Sequence, residues 1–456
     1  RHPPQSQQIP QTMAGQTESE LAPMPSQSDI AAFIQQTPLV DTHEHMRREE
    51  SYLDENPDIL CQLFQNYVGA DLFVAGASQE ALDKLFDQSD PDVAGRFAPI
   101  QEAWARAQHT GYGEAVSIIA KELYDIDELT PDTIAAAQEK NAAFNQPGER
   151  LRLLRDEANL DHIQTDAFTI QVTPDLSGPD FFFNDISWAA MCSGQPNHEE
   201  IAEHTGQELT DLYSLRLVME TIFQNFSAPA IAVKAQHAYN RTLRWQERTD
   251  EEAARALDLY LRNGEEIEEA QRLCLGDWCW ARGVELCIEH DLPMKLHTGY
   301  YAGHSRMPVD YIRSGNLCPL LAKYPDARFV LMHIAYPYTE ELVALAKHYP
   351  NVYADLCWAW SINPYSSMEF VRRFIHAAPA NKLFLFGGDT GYPGAALAYA
   401  KQARTWFTRV MQAEISDGLL TEAQAIDLAR RYMRDNQYEC FRVEEKKETI
   451  RAAAAQ

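Results

Sequence analysis

The stretch Thr37-Pro38-Leu39-Val40-Asp41-Thr42-His43-Glu44-His45 is an apolar, β-like run that ends on two histidines one residue apart. Side chains alternate faces along a strand, so His43 and His45 project the same way, one pleat apart. Two imidazoles at that spacing can close on one divalent cation, and neutral imidazole suits Zn²⁺ and its neighbours. A pair this short also arises by chance. Its weight depends on what lies downstream.

Four later apolar runs carry the argument outward. Leu292 to Leu296 leads into His297-Thr298-Gly299, and Arg328 to Met332 leads into His333. Asn351 to Leu356 reads as a further strand, and Lys382 to Phe386 passes through Gly387-Gly388 into Asp389-Thr390. Helix-like segments, such as Thr339 to His348 and Ser367 to Ala378, separate them. Strand and helix in alternation imply right-handed βαβ units and a parallel sheet. An open doubly wound sheet would spread the polar strand ends along an edge, whereas a closed barrel converges them on one axis. The predicted fold is therefore a (β/α)8 TIM barrel.

The HxH after the first strand, the later His297 and His333, and the final Asp389 resemble the pattern of the amidohydrolase superfamily. More narrowly, Leu331 to Glu340 (LMHIAYPYTE), Tyr349 to Leu356 (YPNVYADL) and His297-Thr298-Gly299 resemble its amidohydrolase-related, FluG-type branch. The likeness runs from about His297 to Tyr399 and reappears around His43 and His45. Relatives of that type are often fused to a glutamine-synthetase-like portion, and none is expected after this barrel. The resemblance implies metal ligation by His43, His45, His297 and Asp389, with Asp389 also handling the proton of an attacking water. It implies that His333 is either a ligand to a second ion or a free imidazole that polarises or protonates substrate. Ile231-Ala232-Val233-Lys234, followed by Tyr239 and Arg241, resembles the FluG-type segment that carries a lysine and then a nearby Tyr and Arg. Lys234 and Arg241 are thus the expected substrate contacts, Arg241 through its planar fork on a carboxylate. In binuclear members a lysine at such a strand end is carboxylated and bridges two ions, and that alternative stays open for Lys234.

Blander roles compete with these. Asp389 after two glycines also suits a helix cap, His333 a core histidine, and Lys234 a solvated strand end. His162, His198, His204, His290, His348 and His376 lie in polar or helical surroundings and are expected in surface or structural roles.

The chemistry accounts for the residue types. Bulk water is too weak an acid to attack an amide, ester or lactone at neutral pH. A bound divalent ion, Zn²⁺ by the imidazole-rich ligand set and one or two per chain, lowers the pKa of water to about 7. It also polarises the carbonyl oxygen, while a nearby carboxylate moves the proton. Hydrolysis of a small-molecule amide, ester or lactone is the first functional reading. A metal-dependent decarboxylase or uronate-isomerase-like enzyme on the same scaffold is the second. A non-catalytic binding barrel is the third, and the set of polar strand ends argues against it.

Composition sets the outer limits. The 456 residues, 45% hydrophobic, suffice for one barrel plus about 150–200 further residues. Arg1 to Ser28, rich in Gln, Pro and Ser, is expected as a flexible tail. Residues 29–456 are expected as a single barrel domain with a helical insertion at about 46–147, and DIAAFIQQ from Asp29 as a short helix beside the first strand. That insertion would stand over the C-terminal mouth or serve packing or dimerisation, so a homo-oligomer stays open. Asp180 to Pro196, aromatic and irregular, is expected along the pocket, and Trp358 and Trp360 at the mouth. A net charge of −28 argues against nucleic-acid or anionic-membrane partners and leaves a small molecule as the substrate. No apolar run approaches a membrane-spanning length. Eight scattered cysteines without zinc-finger spacing fit reduced core residues and a cytoplasmic setting. A removed secretory leader is the alternative left open.

Overall fold

The computed structural model describes residues 29–455, so the expected tail at 1–28 lies outside the described residues. Eight parallel strands follow one another in space as they do in sequence. They are β1 Leu39–Glu44, β2 Leu160–Thr165, β3 Phe182–Ser187, β4 Ala230–Ala235, β5 Met294–His297, β6 Phe329–Met332, β7 Val352–Asp355 and β8 Leu383–Phe384. The last strand meets the first through the backbone beyond β8. Thr42 N–H donates to Phe386 O at 3.0 Å, and Asp389 N–H donates to His43 O at 2.9 Å. This closes a (β/α)8 TIM barrel, and it sets Asp389 beside the histidines of β1.

The outer layer follows from amphipathic helices that each return the chain to the strand start. Leu212–Phe226 lies between β3 and β4, Glu269–Glu289 between β4 and β5, Thr339–His348 between β6 and β7, and Pro364–Ala377 between β7 and β8. Local signals fix their ends: the Asp211 side chain caps the first of these, and Asn363 caps the last. Buried faces such as Leu215, Val218, Met219, Ile222 and Phe223 pack on the sheet. Each such side chain contributes about 1.5–3 kcal/mol by leaving water. The short helix at Ile30–Gln36 is present, capped by Asp29.

Between β1 and β2 the chain is helical and holds no strand. Its helices include Gln79–Phe86, Gly111–Tyr124 and Pro131–Ala137, and helical structure runs on to Glu157, beyond the expected limit near 147. No helix among the described residues is long and apolar enough to cross a membrane.

Two strands escape a reading of apolar runs. β2, Leu160-Asp161-His162-Ile163-Gln164-Thr165, has only two apolar residues, and His162 and Gln164 are both fully buried. β3 lies inside Asp180–Pro196, the stretch expected to be irregular, and carries Asn184 and Asp185. The barrel interior explains both. It is filled by polar groups that satisfy one another: Lys295 Nζ donates to Asp185 Oδ1 at 2.9 Å and to Thr42 O at 2.7 Å. Thr42 Oγ1 donates in turn to Asp355 Oδ2 at 2.7 Å. A polar interior removes the hydrophobic signature from the strands that line it.

Candidate metal centre

His43, on β1, and His45, just beyond its end, face the barrel axis as their spacing predicts. Their Nε2 atoms lie 3.3 Å apart. Asp389 Oδ1 stands 3.2 Å from each of them. His45 Nδ1 lies 2.9 Å from Asp166 O, and a carbonyl can only accept, so that nitrogen carries the proton and Nε2 keeps its lone pair. His43 is held neutral, its pKa well below the usual value through burial and the nearby Lys234. Asp389 is held anionic: burial opposes ionisation, but His43 and His45 together outweigh it and set the pKa well below the carboxylate range. Burial disfavours charge on His45 as well, and there Asp389 prevails and raises the pKa. Two imidazole nitrogens and a carboxylate oxygen that face one another repel unless a cation or a proton sits among them. The donor set and its convergence fit a divalent ion.

The other oxygen of Asp389 looks elsewhere. His333 Nε2 lies 3.7 Å from Asp389 Oδ2 and is buried with no hydrogen-bond partner. His333 Nδ1 sits 2.8 Å from Cys357 O, which fixes the proton on Nδ1. Burial pulls this imidazole down to about 4 against the attraction of Asp389. Cys357 completes a second cluster with His333 and Asp389, its ligand atoms all within 4.8 Å of one another, and burial pushes its thiol well up.

Backbone conformation places these groups. His333, Trp358 and Asp389 all adopt positive φ, at 64°, 62° and 56°. Non-glycine residues rarely do so, and such strain collects where function fixes a side chain. Gly388 allows the approach: a Cβ there would overlap Glu44 Oε1. Gly299, at φ 73°, makes the turn after β5, where a Cβ would come within 2.6 Å of Tyr336 N.

His297 is held apart from its expected partners. It lies at the end of β5, but its Nε2 donates to Tyr300 O at 3.0 Å, and its ring packs on His333 with centroids 4.5 Å apart. The Gly299 turn brings that carbonyl back over the ring. Service as a ligand through Nε2 requires that contact to break. Three of the four expected ligands converge, and the fourth stands beside them.

Lys234 reaches the centre, and Arg241 does not. Lys234 Nζ, buried at the end of β4, lies 3.4 Å from His43 Nε2 and 3.0 Å from Gln236 Oε1. Replacing Lys234 with alanine should leave about one ion per chain and lower turnover at least tenfold, measured by elemental analysis and steady-state rates. A fall from about two ions to one would make this lysine a bridge between metals.

Arg241 requires a correction. It is fully buried, donates to Asp277 Oδ1 at 2.7 Å, and gives three further N–H groups to the carbonyls of Thr242, Cys192 and Arg244. A side chain so buried and so bonded locks the loop after β4 onto Glu269–Glu289 and directs its charge at Asp277, away from the metal centre. Arg241→Ala should lose about 1–3 kcal/mol of stability, as read in a denaturant melt, because it removes one of the two guanidinium partners of buried Asp277 and leaves Arg248 in place.

Several contributors were invisible in the sequence. The carbonyls of Asp166 and Cys357 orient His45 and His333, and no residue type signals a backbone contact. Tyr67, from the helical segment after β1, donates its hydroxyl to Asp389 O and packs on Trp358, with ring centroids 4.4 Å apart. Trp358 reaches the mouth as expected, whereas Trp360 is buried with its Nε1 on Leu385 O.

Comparison with known proteins agrees with this geometry. The family model described as Amidohydrolase matches residues 215–425. Protein fluG of Emericella nidulans is 26% identical over 242 residues, 49% of this chain but only 28% of that protein. The family-model match places residues 215–425 with the amidohydrolase superfamily. The fold likeness is broader. Glucuronate isomerase from Caulobacter crescentus superposes with a TM-score of 0.75 at 16% identity, over 91% of this chain and 93% of that one. Uronate isomerase from Thermotoga maritima gives 0.74 at 12% identity, over 90% and 96%. A protein from Lactobacillus casei proposed to be a metal-dependent hydrolase gives 0.63 at 17%, over 92% and 99%. At such identities these likenesses concern the fold alone. The family model begins after β3, so the HxH at β1 joins the site by geometry.

Proposed function

We propose that this protein is a metal-dependent hydrolase of a small-molecule amide, ester or lactone, with Zn²⁺ held by His43, His45 and Asp389. The observation that carries this reading is the division of labour within Asp389. One oxygen faces the two imidazoles at 3.2 Å, and the other faces His333 Nε2 at 3.7 Å. When bound, the ion would acidify water and polarise the substrate carbonyl.

The chain's own groups handle the proton. Asp389 Oδ2 accepts it and stands next to a neutral imidazole whose Nε2 has no other partner. His333 binds a proton weakly, so it passes one readily to a leaving nitrogen or oxygen. Its ring cannot turn away while Nδ1 holds Cys357 O.

A second reading is supported by the likeness to two uronate isomerases across nine-tenths of both chains. There the same Asp389–His333 pair would move a proton within the substrate, or stabilise charge in a decarboxylation, without attack by water. One experiment separates the readings. Zinc-loaded protein is assayed against panels of amides, esters and lactones, and against uronic and aromatic acids. Metal-dependent hydrolysis of the first panel is the expected result. Turnover confined to the second panel would replace hydrolysis with the second reading.

A further inference from the structure

Phe168 is an anomaly beside the metal centre. It is 61% exposed, a large apolar side chain left in solvent, and its backbone adopts φ 58°. Its ring stacks on His45 with centroids 4.3 Å apart and planes 7° apart. It also forms a wall shared by two cavities, one of about 630 Å³ and one of about 300 Å³.

The two cavities differ in charge. Glu199, Glu200 and Glu265 line the larger one, which has no lysine or arginine in its walls. The smaller one is bounded by His45 itself and by three guanidinium groups, Arg47, Arg48 and Arg150, against the carboxylates of Asp166 and Asp175. That is an unusual concentration of positive charge in a chain of net charge −28. Arg47 is committed to Glu55. Arg150, 2% exposed, pairs with Asp175 at 2.9 Å but keeps a buried Nε–H with no hydrogen-bond partner. Arg48 donates only to neutral carbonyls, Thr173 O at 2.5 Å and Pro174 O at 3.2 Å. Among the described residues no carboxylate pairs with it.

We propose that the smaller cavity is an anion subsite of the metal centre, in which Arg48 and Arg150 receive a substrate carboxylate while Phe168 walls it off from the acidic cavity. This rests on the reading of His43, His45 and Asp389 as a metal site, and it narrows the substrate class. The substrate carries a carboxylate on one side of the reacting bond and an uncharged or cationic group on the other. A planar guanidinium beside a buried unpaired N–H is the chemistry that recognises a carboxylate. The walls of the larger cavity repel one.

The test uses zinc-loaded protein and two five-carbon probes, glutarate and pentanoate, which differ only in the second carboxylate. Isothermal titration should show glutarate binding about tenfold tighter or more, the worth of one charge-assisted contact. Arg48→Gln should abolish that preference, and Arg48→Lys should restore part of it, with circular dichroism and zinc content unchanged in both. Equal affinity for the two probes, or a preference that survives Arg48→Gln, overturns the subsite while the metal reading stands. Failure of the protein to bind zinc at all would remove the metal reading itself.

Discussion

Replacing both His43 and His45 with alanine should reduce bound metal from about one ion per chain to a small fraction, and metal-dependent turnover should vanish. Two of the three converging donor atoms are lost, and one carboxylate oxygen cannot hold a divalent ion against water. The fold should survive, because the histidines sit at the C-terminal end of β1 and the strand hydrogen bonds do not involve their side chains. Elemental analysis of dialysed protein, with circular dichroism as the control, reads both effects. Unchanged metal content in the double variant would move the metal elsewhere and overturn the assignment. His297, whose Nε2 is engaged by Tyr300 O at 3.0 Å, provides a contrast. His297→Ala should cost less metal than loss of either β1 histidine.

Asp389→Asn should lower turnover by a factor of about 10² to 10⁴, the range set by loss of general acid–base catalysis. The amide keeps the size of the carboxylate but cannot take a proton at the position facing His333. Asp389 also faces both imidazoles, so the comparison must be made at matched zinc occupancy. The opposite outcome, full occupancy with a near wild-type rate, would reduce Asp389 to a backbone role. His333→Gln tests the other end of the relay. It should lower turnover without removing metal, since His333 Nε2 lies against Asp389 Oδ2 and outside the His43–His45 pair.

The two experiments also bear on Tyr67, whose hydroxyl holds the Asp389 carbonyl. A roof residue that fixes the backbone of a proton-handling group couples the helical segment to catalysis. Changes there should alter turnover more than metal content.

What the sequence by itself determined was the set of features that rest on local pattern. Apolar runs ending in His297, His333 and Asp389, spaced by helices, imply a parallel barrel with polar residues at one end, because strand direction and side-chain alternation are local rules. The HxH at His43 and His45 is legible for the same reason: two residues on one face of one strand need no partner to be placed.

Tertiary structure alone decided the rest. β2 and β3 were hidden because their inward residues answer polar groups from distant strands, as Asp185 answers Lys295 across the barrel. Arg241 and Lys234 look equally available along the chain. Folding buries Arg241 against Asp277, on the helix before β5, and turns Lys234 toward His43. His45 and His333 owe their tautomers to carbonyls 121 and 24 residues away. A backbone oxygen is present at every position, and only the three-dimensional path of the chain decides which one meets an imidazole.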